Sequence, residues 1–292
     1  MADLINTILV PTDFSEEADA ALFTAATFAK KLQSKLILLH VVDIPGYGSF
    51  QLKNEISGTN LEEIATTVAV DRLKRYQTNP QLKGVNLLTK VSSGKVYRTI
   101  LHEAEKSQVD LIIMGTQGHT GIDKFLMGSN TKKVVQVSDI PVLTLKDPIK
   151  IKEVKNIVFA SSFNQEYSFS FPMIYQFMEL FNAKLHLLKV ITPSDFESSQ
   201  FSSNTIKNFA SEFLLENYEM HTINAYNIEE GISWFCQQHE IDMIFMETHG
   251  RKGLAHLLVG SHTERMGQKH QFPLFSVKMV DVKKPRGVIF PD

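Results

Sequence analysis

The chain has 292 residues, 43 % apolar and 21 % charged, with Lys+Arg 30 against Asp+Glu 32 and a formal charge of −2. This composition excludes global disorder, and the near balance of charge excludes an overall cationic field for nucleic acid or an anionic membrane, so an anionic ligand has to be held locally. A single cysteine excludes an internal disulfide framework; with neither a basic leader nor a run of about 18 apolar residues, the expectation is a cytoplasmic, unanchored protein.

The apolar run Ile8-Leu9-Val10 ends in Pro11-Thr12-Asp13-Phe14-Ser15, a buried strand running into a turn and a helix start that Asp13 or Ser15 can cap. Glu16 to Leu32 carries Ala, Leu and Phe at helical spacing, and Leu36 to Val42 is almost wholly apolar, as a strand covered on both faces should be. Gly46, Gly48, Ser49 and Gly58 mark a long loop. Leu61 to Tyr76 predicts a helix, Asn86 to Val91 a strand, Val96 to Ser107 a helix and Asp110 to Met114 a buried strand. A glycine-rich loop leads to a helix from about Ser129 and a fifth strand from Pro141 to Leu145. Strands alternating with helices imply a parallel, doubly wound α/β sheet.

The pattern then recurs. At a shift of 132, Asp110, Met114, Thr116, Gly118, Gly121, Gly128, Ser129, Thr131 and Pro141 reappear as Asp242, Met246, Thr248, Gly250, Gly253, Gly260, Ser261, Thr263 and Pro273. Nearer each start the shift is 149, with Ile8, Phe14, Lys35, Leu36 and Leu38 answered by Ile157, Phe163, Lys184, Leu185 and Leu187. The second copy is 17 residues shorter in its middle: 66 residues separate Val42 from Val109, but 49 separate Ile191 from Ile241. Two tandem domains of five parallel-type strands follow, residues 1–147 and 153–280, with a polar tail at 281–292.

In the first half, the strand ending at Met114 runs into Gly115-Thr116-Gln117-Gly118, and Gly128-Ser129-Asn130-Thr131 opens the next helix. Glycines let the backbone approach a ligand, and the open N–H groups of a helix start hold phosphate oxygens. The loop follows the carboxyl end of a strand, where open parallel sheets bind ligands, with the turn at Asp13 and the strand end at Val41 across the crevice. Neither a Walker loop nor a G-x-G-x-x-G after the first strand is present, which disfavours a Walker ATPase or a dinucleotide dehydrogenase.

The spacing Gly115-x2-Gly118-x9-Gly128-Ser129, with Val10-Pro11-Thr12-Asp13-Phe14-Ser15 and Leu38-Leu39-His40-Val41-Val42-Asp43, resembles the ATP-binding branch of the universal stress protein family. The resemblance covers the first half throughout and the second more weakly. It implies two Rossmann-like domains of the adenine nucleotide alpha hydrolase-like type, paired through their fifth strands as an intramolecular pseudo-dimer, with further homodimerisation open. Asp13 and Val41 would contact adenine and ribose; Gly115, Gln117, Gly118, Gly128, Ser129, Asn130 and Thr131 would line the triphosphate. Gln117 stands where other members carry a basic residue. The implied ligand is ATP, with AMP or another adenine nucleotide as alternatives and Mg2+ as a companion ion. The implied role is a nucleotide-dependent stress-response or signalling module with an unnamed protein partner. A slow ATP hydrolase or nucleotidyl-transfer enzyme and a nucleotide-free scaffold stand as rivals; no base and nucleophile are arranged for turnover, so no catalytic residue is assigned.

Remaining residues take simpler readings. Cys236, beside Trp234 and Phe235, reads as an inert core thiol, and Phe169, Phe171, Phe177 and Phe181 as core along a helix. Ser194 to Ser203 reads as a mobile loop and His119 as a solvent-facing loop residue. His249, His256, His262 and His270 lack the spacing of a structural zinc set, so no metal site is expected. In the second half Glu247 replaces Gly115 and Ser162 replaces Asp13, which predicts a degenerate site.

Overall fold

A computed structural model describes residues 5–43, 58–116, 127–163, 171–248 and 272–278. The first half runs β1 (Thr7–Thr12), α1 (Glu16–Leu32), β2 (Lys35–Val42), α2 (Gly58–Gln77), β3 (Asn86–Ser93), α3 (Val96–Lys106), β4 (Leu111–Gly115), α4 (Ser129–Val137), β5 (Val142–Leu145), with a short 3-10 turn at Pro80–Leu82. The second runs β6 (Asn156–Ala160), α5 (Phe171–Phe181), β7 (Lys184–Ile191), α6 (Ser199–Glu212), β8 (Tyr218–Asn224), α7 (Ile228–Gln238), β9 (Met243–Thr248) and β10 (Leu274–Lys278). One expectation is overturned: the serine-rich stretch is not a loop throughout, because α6 begins within it. Ser198 Oγ caps that helix by accepting from the Phe201 N–H, and buried Ser202 donates to Glu197 Oε1 at 2.5 Å.

The strands form one ten-stranded sheet in the order β3-β2-β1-β4-β5-β10-β9-β6-β7-β8. Every pairing among the described strands is parallel except that between β5 and β10, which run antiparallel with Leu143 opposite Phe275. The fifth strands of the two copies therefore meet, and the strand order reads alike outward from their junction. The repeat extends to backbone detail. Phe14 and Phe163, Gln33 and Asn182, and Gln108 and Glu240 are matched pairs in the left-handed region. Asp110 Oδ2 accepts the N–H groups of Asn6 and Thr7, and Asp242 Oδ2 those of Lys155 and Asn156, tying each fourth strand to the first strand of its half.

Because side chains alternate along a buried strand, each face of the sheet gains its own core. Ile8 and Val10 point to the face covered by α1, α2, α5 and α6; Leu9 points to that covered by α3, α4 and α7. On the first face the halves touch directly: Phe28 of α1 meets Phe177 and Phe181 of α5 edge-on, at ring separations of 5.4 and 5.7 Å. Phe171, Phe177 and Phe181 are buried as expected, whereas Phe169 lies outside the described residues. Cys236 is buried, and burial pushes its thiol up to about 12.

Candidate functional site

The order β2-β1-β4 places a topological switch point between β1 and β4, and the carboxyl ends of these strands form one edge. Thr12 pairs with His40, and the register of Ile8 with Leu111, continued along the strands, brings Thr12 level with Gly115. Thr12 Oγ1 accepts the Phe14 N–H at 3.0 Å, and the chain turns through Phe14 at φ 66°. Ser15, not Asp13, caps α1, its Oγ accepting the Ala18 N–H. Asp13 holds that cap in place: its Oδ1 accepts from Ser15 N at 3.1 Å and Ser15 Oγ at 2.6 Å, while the residue itself stays exposed.

Phe14 anchors the turn among polar neighbours. Its ring lies 4.5 Å from His40, 6.4 Å from Tyr76 in a stack, and 5.2 Å from the Arg72 guanidinium. Tyr76 donates to Asp19 Oδ1 at 2.6 Å, and burial with that carboxylate holds its phenol well above the usual range. Val41, one residue beyond His40, is buried on the opposite face with the residues under α3 and α4.

Two bonds fasten α4 to the end of β4. Thr131 Oγ1 donates to the Gly115 carbonyl at 3.0 Å, and the Gly128 N–H donates to the Thr116 carbonyl at 2.7 Å. Gly128 is the N-cap and provides no side-chain bond, so among the described residues the first amides of α4 open at the sheet edge without a capping side chain. Such an end carries about half a positive charge. Gly115 is needed for a reason the sequence did not disclose: a Cβ there would sit 2.8 Å from the Glu17 carbonyl carbon and oxygen. The first turn of α1 thus rests on the end of β4.

Asp13, Val41, Gly115, Gly128, Ser129, Asn130 and Thr131 all lie at the carboxyl ends of β1, β2 and β4 or in the first turn of α4. Gln117, Gly118 and His119 lie outside the described residues. Thr131 is buried with its proton committed to Gly115, which makes its hydroxyl a clamp, whereas Ser129 is exposed.

In the second half Glu247, at the end of β9, accepts from Ser161 Oγ at 2.8 Å. A carboxylate thus spans the β6/β9 switch point, where the first half has glycine. Gly250, Gly260, Ser261, His249, His256, His262 and His270 lie outside the described residues. The ends of β7 and β8 instead border a groove of about 810 Å³ lined by Ile191, Pro193, Phe196, Ile223, Tyr226 and Trp234. No helix among the described residues is long and apolar enough to cross a membrane.

Comparison with known proteins accords with this architecture. The model of the Universal stress protein family matches residues 5–146 and 173–278. A universal stress protein of Methanocaldococcus jannaschii is 30 % identical over 154 residues, covering 51 % of this chain and 86 % of its own. One from Synechocystis sp. is 25 % identical over 299 residues and covers 94 % of this chain and 100 % of its own. Among solved structures, a universal stress protein from Archaeoglobus fulgidus superposes with a TM-score of 0.69 at 19 % identity, covering 94 % of this chain and 96 % of its own, a likeness of fold.

Proposed function

Since the chain belongs to the universal stress protein family, matched by two successive segments, we propose that its first half binds one adenine nucleotide, ATP foremost, and that the protein acts as a nucleotide-dependent stress-response or signalling module. The first domain is residues 1–147 and the second 153–280. The observation that carries this reading is the start of α4, uncapped by any side chain among the described residues and fastened to β4 beside the switch point. Amides and helix polarity at such a point favour phosphate. Asp13, exposed at the adjoining turn, offers a carboxylate to ribose or base, and the end of β2 at Val41 lies beside the base. Gly128, Ser129 and Asn130 hold the phosphates, with Gln117 and Gly118 completing the loop, while Gly115 and Thr131 keep α4 in place.

In this reading the second half carries a degenerate counterpart of the site. Glu247 sits where phosphate would approach, and two unit charges about 5 Å apart at an effective dielectric near 20 repel by roughly 3 kcal/mol, about a hundredfold in affinity. Calorimetric titration of the intact protein is expected to find one ATP per chain. Asp13→Ala combined with Gly128→Asp, which puts a carboxylate at the phosphate position without opposing the helix polarity, removes that binding while far-UV dichroism stays unchanged. Two equivalent sites, or ATP binding that survives in the double variant, would overturn the assignment.

A further inference from the structure

The starts of β7 and β8 carry a cluster that the nucleotide site does not use. His186 of β7 stands opposite Glu219 of β8, and His221 lies two residues further on, so strand alternation puts all three on one face, beneath α7. His186 Nδ1 is 3.1 Å from His221 Nε2, and each of these nitrogens is 3.6 Å from Glu219 Oε2. The nearest point equidistant from three atoms so spaced lies in their plane, about 2.0 Å from each, the bond length of zinc to imidazole nitrogen and carboxylate oxygen. The edges of a tetrahedron with such bonds are about 3.3 Å long, close to the sides of this triangle.

The surroundings orient the donors. His186 Nε2 faces Asn156 Oδ1 at 3.3 Å, and the Asn156 amide is itself fixed by donating Nδ2 to the Glu240 carbonyl. The proton of His186 therefore belongs on Nε2, leaving the Nδ1 lone pair aimed into the triangle, as an outer partner does for a ligating histidine. Lys184 pairs with Glu219 Oε1, which turns Oε2 toward the histidines. His239, at the end of α7, has its ring 5.0 Å from that of His221.

The first half shows that the fold does not need this set. In its equivalent β2–β3 pair, Ile37 stands opposite Leu88, and the residue matching His221 is Lys90, which bonds to Glu103 of α3. We propose that His186, His221 and Glu219 bind one divalent transition-metal ion of the zinc class, with a fourth position open to water or His239. This site lies roughly six strand spacings from the β1/β4 switch point, about 29 Å along the sheet at ~4.8 Å per strand.

Zinc chloride titrated calorimetrically into chelator-treated, nucleotide-free full-length protein tests this. The expected result is one strong site per chain, weakened at least tenfold by Glu219→Gln and by His221→Gln, untouched by excess Mg2+, and giving tetrahedral-type visible absorption with Co2+. Glu219 is 47 % exposed, so its variant keeps the fold even where His221→Gln does not, and matching urea midpoints without metal verify this. Absence of Zn2+ binding, or binding unchanged by Glu219→Gln, would overturn the proposal.

Discussion

His40 joins the end of β2 to the turn that carries Asp13. Its Nδ1 lies 2.7 Å from the Thr12 carbonyl, so Nδ1 bears the proton and Nε2 remains the basic nitrogen. Burial lowers its pKa; the Thr12 carbonyl and Asp13 act in the opposite direction, and Arg72 reinforces the lowering. An imidazole more acidic in the folded than in the unfolded chain contributes full stability above the unfolded value near 6.5. That contribution is lost progressively as pH falls from there toward the folded value, at up to about 1.4 kcal/mol per pH unit. Urea unfolding between pH 7 and 5 is expected to show a shallower loss in His40→Gln than in the parent. Parallel slopes would mean that His40 titrates alike in both states. The sequence placed Asp13 and Ser15 together at the turn but left their roles interchangeable. Only the bonding partners separate the cap, Ser15, which accepts the Ala18 N–H, from the residue that steadies it, Asp13, which accepts from Ser15.

The junction of β4, α1 and α4 explains which parts of the site were legible beforehand. Strand and helix spans followed from apolar periodicity, and the repeat located the matching loop in the second half, because both signals are local or register-bound. The contact of Gly115 with Glu17 is neither: it depends on how closely α1 crosses the end of β4. The same limit hid the histidine cluster, whose two imidazoles lie 35 residues apart on separate strands and form no motif. Gly115→Ala should destabilise the protein by about 1–3 kcal/mol, since backbone at 2.8 Å cannot rotate away as a side chain would. ATP affinity should fall at least tenfold as the start of α1 shifts with Asp13. Urea unfolding and ATP titration of that variant check both effects; unchanged stability would show that the interface yields freely.

Across the whole molecule, the phenylalanine contact between α1 and α5 and the β5–β10 pairing join the halves into one packed body. Phe28→Ala removes a fully buried ring and should cost about 3–5 kcal/mol. The sole tryptophan, Trp234, lies in the other half, so its fluorescence should report an earlier transition coincident with far-UV dichroism. A tryptophan midpoint unmoved while dichroism turns biphasic would mean that the halves unfold separately. The β5–β10 pairing also sets a clock during synthesis. Thr144 and Leu274 are 130 residues apart, so at about 5–20 residues per second β5 is made roughly 7–26 s before its partner strand. For that interval the newborn first half exposes an unpaired strand edge, open to the same edge on a neighbouring ribosome's chain. The yield of correctly joined protein is therefore expected to fall when translation is slowed or ribosomes crowd the message, neither of which alters a single native contact.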